Sequence, residues 1–195
     1  MQYGTVGHGR ARLFTCAPLG RGKSAIAQTI AELCEEHKLL LASFFFRADS
    51  LRSNSKRLIA TIAYLVAVVI PGIRGLMEAV IDNDPHLLSC SLITQFMALI
   101  VDPLELLFET SVGEQTDLPK LIIINGLDEC MDGTQVQILD MIFAIGKRSK
   151  FPFIPLVASR PELEISVAMG DGRTRVTRLP LDADITPLDD ITLAG

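Results

Sequence analysis

LFTCAPLGRGKS, residues 13–24, runs from a short apolar stretch into a turn that holds two glycines, a lysine and a serine. Between a buried strand and a helix, such a turn can aim successive backbone N–H groups into one concavity. The N-terminus of the following helix adds partial positive charge, so phosphate oxygens are held without side chains. In this reading Gly20 and Gly22 allow close backbone approach, Lys23 neutralises the β and γ phosphates, and the Ser24 hydroxyl is a magnesium ligand. Pro18, Leu19, Arg21 and Ala25 complete the lining, with Arg21 adding a second positive charge or pointing to solvent. Ala17 stands where the first glycine of such a loop is usual, and a methyl group fits there if φ is negative. A match of this form arises by chance on the order of once in a hundred chains of this length. The alternative is an ordinary strand-to-helix turn.

A second apolar run, LIIINGLDEC at 121–130, supplies the other half of such a site. Open α/β sheets bind ligands in the crevice at the C-terminal ends of their strands, and this strand delivers Asn125, Asp128 and Glu129 there. In phosphate-loop enzymes an aspartate at the strand end anchors magnesium, and a following carboxylate polarises the attacking water. Asn125 keeps an acceptor oxygen but no charge, so hydrolysis and magnesium dependence should weaken more than nucleotide binding. For Asp128 and Glu129 the plainer reading is a solvated turn. A third run, FIPLVAS at 153–159, ends at Ser159–Arg160, where an arginine can report on a γ phosphate or simply be solvated.

Strands and helices alternate around these pieces. ARLFTCA (11–17) reads as a strand, and SAIAQTIAELCEEHK (24–38) as a helix with Ile26, Ala27, Ile30, Ala31, Leu33 and Cys34 inward. LLLASFFF (39–46) has the continuous apolar character of a strand covered on both faces. Two or three helices fill 56–109, with breaks near Pro71–Gly72 and Asn83–Pro85, and GEQTDLP (113–119) is a linker. Thr134 is placed to cap a helix that begins after it. Pro155 weakens the strand at 153–159, PELEISVAMG is a short helix, and RTRVTRLPL (173–181) is a fourth or edge strand. The pattern is that of an α/β domain with a mainly parallel sheet.

The 195 residues suffice for one domain with a sizeable core, and a hydrophobic content of 49% argues against disorder. A net charge of −5, with basic clusters only at 52–57 and 146–150, does not suggest nucleic-acid binding. Cys16, Cys34, Cys90 and Cys130 form no CxxC pair, and His8, His37 and His86 show no metal spacing. Reduced thiols and a cytoplasmic location are expected. The apolar stretch LIATIAYLVAVVI (58–70) would rise ~20 Å as a helix, short of the ~30 Å of a bilayer core. A helix buried on all sides is expected instead of a membrane span.

Taken together, GRGKSAIAQTIAELCEE, LLLASFFFR, KRLIATIAYLVA, LIIINGLDEC and VASRPE resemble, in order, the NACHT class of STAND signal-transduction NTPases. The chain is most similar to the nephrocystin-like N-terminal domains of fungal NLR-type proteins. That resemblance implies a three-layer P-loop NTPase fold with a mainly parallel five-stranded sheet of the additional-strand type. It implies ATP, or less readily GTP, with magnesium as ligand, and a switch that self-associates or joins full-length NACHT proteins. Carried over, Gly20, Gly22, Lys23 and Ser24 belong to the Walker A loop. Asn125 takes the Walker B aspartate position and a metal-binding role with Ser24. Glu129 and Asp128 become the catalytic carboxylates and Arg160 the first sensor. Relatives carry lid domains and then repeats. Here the expectation is a domain over 11–190, cut at both ends and lacking its lid, with a loose leader at 1–10 and a tail at 191–195. The function expected is nucleotide binding with weak or lost hydrolysis. A pseudo-NTPase interaction module that binds no nucleotide is the alternative. A small-molecule kinase lacks an arginine-rich lid segment, and a GTPase lacks an NKxD motif.

Overall fold

The structure, a computed structural model, describes residues 13–16, 22–48, 51–110, 118–150, 152–170 and 177–178. The leader at 1–10, loop residues 17–21, most of the linker at 113–119, the tail at 191–195 and most of the edge segment 173–181 lie outside these. The chain is α/β with a parallel sheet. Its strands are β1 (Leu13–Cys16), β2 (Leu40–Phe45), β3 (Leu121–Asn125), β4 (Ile154–Ser159) and β5 (Thr177–Arg178), in the spatial order β2-β3-β4-β1-β5.

Strand alternation divides the core. On β3, Leu121 and Ile123 face helix α1 (Lys23–Glu36) with Ala27, Ala31 and Leu156, forming a small cluster. Ile122 and Ile124 face the other way, into a larger core. That core holds α2 (Lys56–Val69), α3 (Ile73–Asn83) and α6 (Gln135–Arg148), together with the helical stretch Leu92–Thr110. Asn125, next in the odd series, is thereby carried to the α1 side. Pro155 is tolerated inside β4 because the N–H of Ile154 already bonds Lys120 on the β3 side, so the missing donor faces the β1 side. Pairing with β1 begins one residue later, at Leu156.

The stretch Leu92–Thr110 starts as α4 (Leu92–Phe96), capped by Ser91, whose hydroxyl accepts the Thr94 N–H at 3.3 Å. It widens into a π turn over Met97–Val101 and continues as α5 (Asp102–Thr110). Pro103 accounts for the widening. It cannot donate to the Leu99 carbonyl and its ring would collide with it, so the turn before it opens. A final short helix, α7 (Leu163–Gly170), follows β4.

Three expectations are corrected. Helix α2 is not buried all round: Leu58, Ile59, Ile62 and Val66 are buried, but Tyr64 is 63% and Val68 56% exposed. An apolar composition does not reveal that only one stripe is covered. On α1, Ala27 and Ala31 meet the sheet while Leu33 lies outside the contact stripe, 52% exposed. Thr134 does stand at the start of α6, yet its hydroxyl does not cap the helix. It donates to Asp132 Oδ1 at 2.6 Å, and its oxygen accepts no N–H from the first turn of α6.

Candidate functional site

Four strands end level with one another. Phe45 pairs with Asn125, Asn125 with Ala158, and Cys16 with Ser159. The end of β1 therefore lies beside the tip of β4, with β3 one strand further on. Of the glycine loop, Gly22, Lys23, Ser24 and Ala25 are described; Pro18, Leu19, Gly20 and Arg21 fall outside. Gly22 adopts φ 72°, a left-handed conformation suited to glycine, and its carbonyl accepts the Ile26 N–H at 2.9 Å to open α1. The amides of that first helical turn point out of its N-terminus, the arrangement that suits an anion. Lys23 is half-buried and Ser24 exposed.

The two halves of the site meet directly. Asn125, buried at 3% exposure, donates through Nδ2 to Ser24 Oγ at 3.1 Å, across 101 residues of chain. For a divalent cation this pair offers a hydroxyl and an amide oxygen but no charge, and the Asn125 N–H already points at the hydroxyl oxygen. Among the described residues no cluster of three or more His, Cys, Asp or Glu could hold a metal ion. This donor set fits magnesium poorly.

Beyond Asn125 the chain turns sharply. Gly126 has φ 73° and donates its N–H to the Ala158 carbonyl at 2.8 Å; a Cβ there would lie 3.2 Å from the Phe46 carbonyl oxygen. The turn sends the two carboxylates apart. Asp128 Oδ1 accepts the Arg160 N–H at 2.8 Å and the Ser159 hydroxyl at 3.2 Å, while Oδ2 pairs with Arg160 Nε at 3.0 Å. Glu129, half-buried, accepts the Ala48 N–H through Oε2 at 3.2 Å, which ties it to the chain leaving β2. Asn125, Asp128, Glu129 and Arg160 thus gather at one end of the sheet, with Asp128 and Arg160 bonded to each other.

Sequence reasoning passed over Gly126, Ser159 and Asp132. A glycine between a buried strand and an acidic pair was the available signal for the first. Asp132 Oδ2 accepts both the N–H and the hydroxyl of Ser55, at 2.8 and 2.9 Å, and Oδ1 accepts from Cys130 Sγ at 3.0 Å and from Thr134. Partial burial works against its charge, but the bonds from Thr134, Cys130 and Ser55 prevail and hold the carboxyl well below the usual range. Burial pushes the neighbouring Cys130 thiol up to about 11.

The family model described as "Nephrocystin 3, N-terminal" matches residues 6–160, a span that contains the glycine loop, Asn125, both carboxylates and Arg160. No curated protein matches the chain.

Proposed function

The chain belongs to the nephrocystin 3 N-terminal family, and from that premise we propose that it binds a nucleoside triphosphate at the start of α1. The ligand in this reading is ATP in preference to GTP, since no NKxD guanine-reading motif occurs in the sequence. The fold in this reading is the additional-strand P-loop NTPase type, which the parallel order β2-β3-β4-β1-β5 supports. The protein is then a NACHT-type signalling domain of the cytoplasm, a switch that self-associates or joins full-length relatives.

One observation carries the reading: the Asn125–Ser24 bond closes the glycine loop's helix onto the tip of β3, as a phosphate crevice requires. Phosphate is held by the loop amides and by Lys23. Because Ser24 and Asn125 fit magnesium poorly, no hydrolytic step is derived, and turnover in this reading is weak or lost. The same bond also favours a second reading, a pseudo-NTPase that keeps the fold and serves as an interaction module. There the Asn125 amide occupies the metal's place permanently.

Titration with a fluorescent ATP analogue separates the two. For a nucleotide site, Lys23→Ala should weaken binding by tenfold or more, the loss of charge-assisted bonds to phosphate (about 1.5–3 kcal/mol). Equal affinity of wild type and Lys23→Ala removes the loop from consideration. Silence in calorimetry with millimolar ATP, ADP and GTP, from a well-folded sample, supports the interaction module.

A further inference from the structure

At the opposite end of the sheet from Asn125, a groove of about 510 Å³ lies between the end of α1 and the starts of β3 and β4. That is the size of a small-molecule site. Leu121 and Ile154, the first residues of those two strands, pair in register at its base, and Leu118 lines it with them. His37, Lys38 and Leu39 are exposed at its mouth, and Lys120 is half-buried in its wall. The backbone there is already committed. The Leu39 carbonyl accepts the N–H groups of Lys120 and Leu121 at 3.2 and 3.1 Å, and the Lys120 carbonyl accepts that of Ile154 at 2.9 Å. The groove therefore offers a ligand side chains, an apolar base under a cationic rim. Among the described residues none that lines it is acidic, although the chain as a whole carries a net charge of −5.

Lys38 points the same way. Helix α1 ends in a closing turn in which the Lys38 N–H donates to the Glu35 carbonyl at 3.0 Å and the Leu39 N–H to the Cys34 carbonyl at 2.7 Å. These bonds satisfy carbonyls that would otherwise face an anion unfavourably. Such a turn needs a left-handed residue, usually glycine, and here that residue is Lys38 at φ 55°. Among the described residues no other non-glycine lies at positive φ. A lysine kept in that conformation gives up backbone ease and places an ammonium group at the mouth of the groove.

We propose that this groove binds a small amphipathic organic anion, with its apolar body on Leu118, Leu121 and Ile154 and its charge beside Lys38. Covering the base takes apolar surface out of water. The charge at the rim sets the ligand's direction and selects an anion over an alcohol or an amine of the same length.

Calorimetry on the whole chain with octanoate, butyrate, octanol and octylammonium tests this. Octanoate should bind about tenfold or more tighter than butyrate, since each methylene taken fully out of water is worth about fourfold and an open groove covers only part of each. Octanol and octylammonium should bind about threefold or more weakly than octanoate. Lys38→Gly removes the charge and gives the left-handed position the residue it suits. Its urea midpoint should be no lower than that of wild type, and its octanoate affinity about three- to fivefold weaker, the upper range for an exposed ion pair. Cys34 lines the same groove and marks the place of binding. Its alkylation should slow when octanoate is added, with that of Cys90 unchanged. Octanol binding as tightly as octanoate, an unaltered octanoate affinity in Lys38→Gly, or alkylation of Cys34 indifferent to octanoate overturns the proposal. So does a dimer in which Cys34 is shielded without any ligand, because the groove then belongs to a second copy of the chain.

Discussion

Asp128 draws its donors from Ser159 and Arg160 at the end of β4, whereas Asp132, in the same loop, draws its donors from Ser55, Cys130 and Thr134. The first carboxylate fastens two strand tips beside the crevice. The second fastens the approach to α2 onto the start of α6, helped by the Met131 N–H, which donates to the Ser53 carbonyl at 2.6 Å. Both are acids in a turn after a buried strand, and in the bare sequence they look alike. What separates them is who donates: a strand tip at the site in one case, scaffold loops in the other. A carboxylate encircled by donors is better suited to holding neighbours than to taking a proton.

The strongest way to break this contrast is to spoil the turn from which both carboxylates hang. Gly126→Ala places a side chain at φ 73° and a Cβ 3.2 Å from the Phe46 carbonyl oxygen. The left-handed conformation costs about 1–2 kcal/mol for an L-residue, and the close contact should bring the loss to about 2–3 kcal/mol. Urea unfolding should show a clearly lowered midpoint with an unaltered slope. A loss below about 0.5 kcal/mol, the range of inert surface changes, would mean that the turn relaxes freely and that neither carboxylate depends on its shape.

The strands were legible because their signals are local. LLLASFFF, LIIIN and FIPLVAS are apolar runs of strand length, and each contains the strand found there. The helix after the glycine loop was equally plain. The exposed stripe of α2 was not, since Val68 is as apolar as the residues that are covered and Tyr64 sits within the same apolar run. The π turn before Pro103 was missed: the breaks expected near Pro71–Gly72 and Asn83–Pro85 passed this proline over. At the site, Ser24 and Asn125 were identifiable one by one. The pairing of Asp128 with Arg160 was not, because it follows from the register that sets Asn125 beside Ala158. Asp132 escaped notice for a similar reason: its first partner, Ser55, lies 77 residues away, while Asp-Gly-Thr alone reads as a plain turn.

A smaller effect sharpens the contrast through pH. The folded-state pKa of Asp132 is depressed, since its hydrogen bonds outweigh partial burial. In the range below its unfolded value of about 4 the unfolded chain binds more protons than the folded one, so stability falls with falling pH. The contribution is present above that value and is lost as pH drops toward the folded-state pKa. Asp132→Asn should therefore unfold earlier than wild type at pH 6, and the gap should narrow as both are taken toward pH 3. A gap of constant size across that range would remove the charge of Asp132 as the cause.

The smallest effect concerns a thiol that only one of the two carboxylates touches. Cys130 is 1% exposed, its pKa is pushed up to about 11 by burial, and its Sγ donates to Asp132 at 3.0 Å. Cys90, on the other hand, is exposed. Because the thiolate is the reacting form, a thiol reagent at pH 8 should label Cys90 first and Cys130 about a hundredfold more slowly or worse. Asp132→Asn keeps an acceptor oxygen but removes the neighbouring charge that opposes ionisation of Cys130, so its labelling should quicken several-fold. Asp128→Asn leaves those surroundings alone, so it should change nothing at Cys130. Equal acceleration in the two variants would show that the carboxylates belong to one cooperative turn, with the division between site and scaffold drawn in the wrong place.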